Sequence, residues 1–214
     1  ASYQARRAAI AARHPTWRPA TLDVRLGATA AAHPDRPLVL TDEATLTYRD
    51  VVARAEALAK GLRRLGVQAG DRVALVMANI PEFVPLVFAI WRLGAAAIPV
   101  NYLFKARELA YVIGQSGCRV VVTMPSFRGL DYLAALDEMA PGWQQGKFAP
   151  FAELRAVVVV GAGRPGVPSF AGIEAAGGAD AMALPPNPAG PADPSHRAPP
   201  ADSPLPPAAH RAAR

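Results

Sequence analysis

Residues 51–77 read VVARAEALAKGLRRLGVQAGDRVALVM, and the change of period inside this stretch decides the fold class. Val51, Val52, Ala55, Leu58, Ala59, Leu62 and Leu65 recur at intervals of three and four, the spacing of one helical face. Gly66 follows where a glycine can close a helix in the left-handed conformation. After Gly70-Asp71 comes Val73-Ala74-Leu75-Val76-Met77, apolar at every position and without alternation. Such a run predicts a strand covered on both faces, as strands of parallel sheets are.

The same unit repeats downstream. Pro81 to Leu93 predicts a helix with Pro81 in its first turn, then Gly94 and a strand from about Ala96 to Val100. Ala106 to Gln115 predicts a helix closed by Gly117, and Arg119-Val120-Val121-Val122-Thr123 the next strand. Leu130 to Met139 and Val157 to Val160 supply one more helix and strand. Short connections between alternating strands and helices imply right-handed crossovers. The expected fold is therefore α/β: a doubly wound, mostly parallel sheet with helices on both faces.

Upstream, Leu22, Leu26 and Ala30 give a short helix that His33-Pro34 stops. Leu38-Val39-Leu40 and Leu46-Thr47-Tyr48 flank the polar Thr41-Asp42-Glu43-Ala44, the pattern of a β-hairpin. Beyond about Gly161 the character changes. From Pro185 onward Pro186, Pro188, Pro191, Pro194, Pro199, Pro200, Pro204, Pro206 and Pro207 exclude regular structure. The expected organisation is an α/β domain over residues 1–175 and a disordered, Pro/Ala-rich tail over 176–214.

Composition narrows the function classes. With 51% hydrophobic and 19% charged residues in 214, the chain can bury a substantial core. The net charge of +6 is spread as single or paired arginines, with lysine only at Lys60, Lys105 and Lys147. No aromatic interleaving or binding motif accompanies it, which argues against a nucleic-acid partner. The most apolar stretch, Val84 to Val100, contains Pro85, Arg92, Gly94 and Pro99, a poor bilayer span. Arg6, Arg7 and Arg13 are not followed by the apolar core of a signal peptide, and the lone Cys118 cannot form an intramolecular disulfide. A cytoplasmic location is expected.

No motif carries self-contained chemistry. Gly161-Ala162-Gly163-Arg164-Pro165-Gly166 matches GxGxxG after a strand, but Pro168 and a Gly/Pro-rich stretch follow where a dinucleotide site needs a helix and a second strand. His14, His33, His196 and His210 are far apart, so no metal spacing arises. Asp131, Asp137 and Glu138 fall on or near an amphipathic helix, where carboxylates face water. The sequence holds no GxSxG, HExxH or GxxxxGK[ST]. No catalytic, cofactor-binding or metal-binding residue is assigned.

Short signatures in order nevertheless resemble a known family. They are Pro34-Asp35-Arg36-Pro37, Leu46-Thr47-Tyr48, Leu65-Gly66-Val67 with Gly70-Asp71-Arg72-Val73, and Asn79-Ile80-Pro81-Glu82-Phe83. Leu93-Gly94-Ala95 through Ile98-Pro99-Val100-Asn101, Glu108-Leu109-Ala110-Tyr111 before Ser116-Gly117, and Phe127-Arg128-Gly129-Leu130-Asp131-Tyr132 continue the series. Over residues 3–175 the chain resembles the N-terminal part of adenylate-forming acyl-CoA synthetases, AMP-dependent ligases acting on fatty or alicyclic carboxylic acids.

The resemblance implies the N-terminal subdomain of the adenylate-forming ligase fold. For the complete enzyme it also implies ATP, Mg and coenzyme A: the acid forms an acyl-adenylate, then a thioester. Family members neutralise phosphate with a Ser/Thr/Gly-rich loop ending in Pro-Lys-Gly. Where that loop is expected, the chain has Pro194-Ser195-His196-Arg197-Ala198-Pro199-Pro200, and no lysine follows Lys147. No cofactor is therefore expected for this chain alone. The matched residues read as structural: Gly66 and Gly70 for turns, Thr47-Tyr48 for a helix start, Gly94 for close helix–strand packing. Three readings stay open: half of a ligase completed by a second chain, an interaction module docking a partner on an uncovered sheet face, and a defective product.

Overall fold

The computed structural model describes residues 2–13 and 20–185. Of the expected disordered tail over 176–214, residues 176–178 fall in a helix and 179–185 are described, while the rest, with His196 and His210, lies outside the described residues, as does His14. Helix α1 (Tyr3–Arg13) is exposed along its length. Helix α2 (Leu22–Ala32) ends at His33, and the hairpin of β1 (Pro37–Leu40) and β2 (Thr45–Thr47) leads directly into α3 (Tyr48–Arg64).

Local chemistry fixes both ends of α3. Thr47 is the N-cap: its Oγ1 accepts from the Asp50 N–H at 3.2 Å while the Asp50 carboxylate accepts from the Thr47 N–H at 2.8 Å. At the other end Gly66 takes φ +88°, its N–H donates to Arg63 O, and the Val67 N–H donates to Leu62 O. This is a Schellman closure, with Leu62 and Val67 both buried. Gly94 closes α4 (Phe83–Arg92) the same way, with φ +71° and Ala95 donating to Ile90 O, so a turn requires glycine there. Helix α4 starts two residues after Pro81. It is Pro85 that occupies the first turn, where no N–H partner is needed.

The remaining elements are β3 (Arg72–Val76), β4 (Ala96–Pro99), α5 (Ala106–Ser116), β5 (Val120–Thr123), β6 (Ser126–Phe127), β7 (Leu130–Asp131), α6 (Tyr132–Met139), β8 (Ala156–Val159) and α7 (Phe170–Gly178). Strands β4-β3-β5-β8, in that spatial order, form a parallel sheet. Because β4 lies on one side of β3 and the later strands on the other, right-handed crossovers put α4 on one face and α5 and α6 on the opposite one. Helices α3 and α7 join α4, and α5 contacts α6. The doubly wound α/β architecture follows.

Both faces of the sheet are covered, contrary to the uncovered layer expected of an interaction module. Val73, Ala74, Leu75, Val121, Val122, Val158 and Val159 are all buried, and only the edge strand β4 stays half-exposed. Among the described residues no helix is long and apolar enough to cross a membrane.

Helix α7 was not legible in the sequence. Its Ser169 N-cap accepts from the Gly172 N–H at 3.0 Å, and it packs along α3 at unusually short range. A Cβ at Gly61 would collide with the Ile173 carbonyl, and one at Gly177 with the Ala57 carbonyl. The chain then runs on past Asp180, whose backbone oxygen accepts from Lys60 Nζ at 2.9 Å, to Pro185, whose oxygen accepts from Arg92 Nη1 at 2.8 Å.

Candidate functional site at the strand carboxyl ends

In open α/β sheets, ligands bind beyond the carboxyl ends of the strands where neighbouring crossovers leave toward opposite faces. Here that switch point lies between β3, followed by α4, and β5, followed by α6. Met77, Ala78 and Asn79 leave β3, while Met124 and Pro125 leave β5.

Residues at and just beyond these strand ends are buried. Tyr132, the first residue of α6, is only 2% exposed, and its hydroxyl donates to Tyr102 O in the loop after β4 at 2.6 Å. Burial pushes the Tyr132 phenol pKa up, and Tyr102 adds to the shift. The buried Thr123 hydroxyl lies 3.2 Å from Val76 O and 3.0 Å from Met124 O, tying the β5 end to β3. Met77 and Met124, which follow β3 and β5, are buried as well.

Between β5 and α6 stands a hairpin that sequence reading missed. Strands β6 and β7 are joined by Arg128 and Gly129, both with positive φ (+48° and +80°), the signature of a two-residue type I′ turn. The Arg128 guanidinium lies 5.4 Å from the Phe127 ring centroid, and Phe127 meets Tyr102 edge-on at 5.4 Å. The Arg128-Gly129 pair was the available signal, but each strand is two residues long, too short to carry a period.

The GxGxxG segment behaves as a braced loop. Contrary to the sequence expectation a helix does follow, but α7 begins four residues after Gly166, and no further strand follows among the described residues. Arg164 Nη1 and Nη2 each lie 2.7 Å from the Asp137 carboxylate, which also accepts from Trp143 Nε1 at 2.9 Å and Gln144 Nε2 at 3.1 Å. Arg164 holds the Asp137 carboxyl below the usual carboxylate range, with Trp143 and Gln144 contributing. Asp131 is separate, capping α6 by accepting from the Ala134 N–H at 2.8 Å, and Glu138 is exposed. The three carboxylates therefore do not form an acid/base set. Cys118 is buried, and burial raises its thiol pKa.

The sequence pattern of the AMP-binding enzyme family matches residues 26–193. The chain belongs to this family. YngI of Bacillus subtilis is 34% identical over 129 residues, 59% of this chain and 24% of its own length. A long-chain-fatty-acid–CoA ligase of Haemophilus influenzae is 38% identical over 96 residues, 44% of this chain and 17% of the ligase. Among solved structures, a Mycobacterium tuberculosis fatty acyl CoA synthetase superposes with TM-score 0.56 at 26% identity, covering 65% of this chain and 26% of that one. The chain thus spans about a quarter or less of the length of these relatives.

Neither feature that sequence reading weighed for a phosphate or metal is open in the described residues. The one cation of the Gly161–Gly166 loop is engaged by Asp137. No three His, Cys, Asp or Glu side chains among the described residues converge to hold a metal ion.

Proposed function

We propose that this chain supplies the N-terminal α/β layer of an acyl-CoA synthetase that activates a fatty or alicyclic carboxylic acid, and that its 214 residues do not adenylate the acid by themselves. The observation carrying this reading is the family match over residues 26–193 beside a sequence in which no Ser/Thr/Gly-rich, lysine-bearing loop follows β8. ATP, Mg and coenzyme A would then be bound by parts of a ligase outside these residues, whether on the same chain or on a second one. A cytoplasmic location accords with this reading.

A non-catalytic interaction module is the second reading. It is favoured by Leu103 and Tyr111, 54% and 68% exposed, the latter one helical turn from Arg107 on the outer face of α5.

ATP–pyrophosphate exchange tests the first reading. The purified chain, shown to be folded by circular dichroism, is assayed with fatty, alicyclic and aromatic acids. Background exchange with every acid is expected. Acid-dependent exchange above background would refute the claim that adenylation needs residues beyond these.

A further inference from the structure

Among the described helices only α1 buries nothing: every residue from Tyr3 to Arg13 is exposed. Its first turn is capped locally, by Ser2 Oγ accepting from the Ala5 N–H at 3.3 Å. A helix of 11 residues is marginal in water unless one of its faces rests on a surface.

The composition of its faces says which surface suits it. Arg6, Arg7 and Ile10 stand three, four and seven residues after Tyr3, the spacing of one helical face, and Arg13 continues that face past Ile10. Ala5, Ala8, Ala9 and Ala12 make the opposite face. The helix carries no carboxylate, and none of its arginines forms an ion pair among the described residues. Tyr3 and Ile10 are exposed large apolar side chains.

A helix seated in an apolar protein groove uses all four of these positions as apolar anchors. Here the middle two are arginines, and burying them in such a groove would desolvate two charges without partners. An anionic lipid surface accepts both kinds of side chain at one depth. Tyr3 and Ile10 enter the boundary between headgroups and acyl chains, while the guanidinium groups beside them pair with phosphates. Nucleic acid would take the arginines but offer Ile10 no apolar contact.

We infer that α1 lies flat on an anionic membrane surface through Tyr3, Arg6, Arg7, Ile10 and Arg13. It rests on the bilayer and does not cross it, being much shorter than a span. The inference does not depend on the acyl-CoA synthetase reading.

Co-sedimentation of the whole chain with lipid vesicles tests it. Binding to vesicles of equimolar phosphatidylglycerol and phosphatidylcholine, weakened by high salt, is expected, with little binding to phosphatidylcholine alone. Arg6→Gln combined with Arg7→Gln should weaken it by about tenfold or more, the effect of two cations at an anionic surface. Ile10→Ser, which keeps every charge, should weaken it several-fold. Arg63→Gln combined with Arg107→Gln removes the same charge from exposed positions on α3 and α5 and should weaken it far less. Because α1 buries no residue, its substitutions leave the core intact. Equal binding to the two kinds of vesicle, equal losses for the two double variants, or an Ile10→Ser variant that binds as the unaltered chain does would overturn the inference. Absence of binding would overturn it too, and self-association abolished by Ile10→Ser would then give this face to a second copy of the chain.

Discussion

Arg54 on α3 and Glu174 on α7, 120 residues apart in sequence, are joined by two hydrogen bonds of 2.7 and 3.0 Å from Nε and Nη2 to the two carboxylate oxygens. Both side chains are only partly exposed, at 27% and 21%. Glu174 raises the Arg54 pKa chiefly through this hydrogen bond, against the opposing effect of burial. The pair lies beside the close glycine crossing, so charge and backbone fit together fasten α7 to the helical layer.

A double-mutant cycle with Arg54→Met and Glu174→Gln should therefore show positive coupling of about 1 kcal/mol, above the usual value for exposed pairs. Urea denaturation of the four proteins measures it. Additive effects would mean that α7 is held without the pair.

The crossing itself predicts the sign of a substitution that helix propensity gets wrong. Alanine in place of a helical glycine ordinarily stabilises, by up to about 1 kcal/mol in a helix interior. At Gly177 the added methyl meets the Ala57 carbonyl, so the helices must part. Gly177→Ala should destabilise by about 1–3 kcal/mol, the cost of overpacking. Gly27→Ala, where a Cβ meets nothing within 4 Å, is the control and should not destabilise. Thermal unfolding compares them.

These contacts also mark where sequence reading stops. The run from Val73 to Met77 declares a buried strand because every neighbour on both faces is apolar, a local signature of a tertiary fact. Thr47, Gly66 and Gly94 declare helix ends because capping is chemistry within a few residues. Phe170 to Gly178 declares nothing of the kind. Gly172, Gly177 and Gly178 weaken it as an isolated helix, and what orders it lies on α3 at Arg54, Ala57 and Gly61. The Tyr132–Tyr102 bond was equally hidden, since it spans 30 residues.

The capping box at Thr47 provides a local test of the α3 start. Thr47→Ala removes the acceptor for the Asp50 N–H and the 2.6 Å contact between Thr47 Oγ1 and the Asp50 carboxylate. A loss of about 1 kcal/mol is expected by chemical denaturation. Thr47→Ser, which keeps the hydroxyl, should recover most of it. Equal losses for the two variants would show that the threonine methyl, not the hydroxyl, matters.

Asp137 predicts a pH dependence whose direction can be worked out. Its folded pKa lies below the ordinary 3.8, chiefly through the hydrogen bonds from Arg164. A carboxyl with a depressed folded pKa binds protons more weakly in the native state than in the unfolded one. Its contribution is complete above the unfolded value and is lost as pH falls through the folded one. Asp137→Asn should thus be less stable than the unaltered chain at pH 7. The gap should start to close below about pH 4, the ordinary carboxylate value, and shrink further as pH falls through the lowered pKa. High salt should shrink it too, since Asp137 and Arg164 are 42% and 32% exposed and partly screened. Urea midpoints at pH 7, 4 and 2 read this out. A gap that held constant across the range would show that the Asn effect does not come from loss of the ionised Asp137 carboxylate.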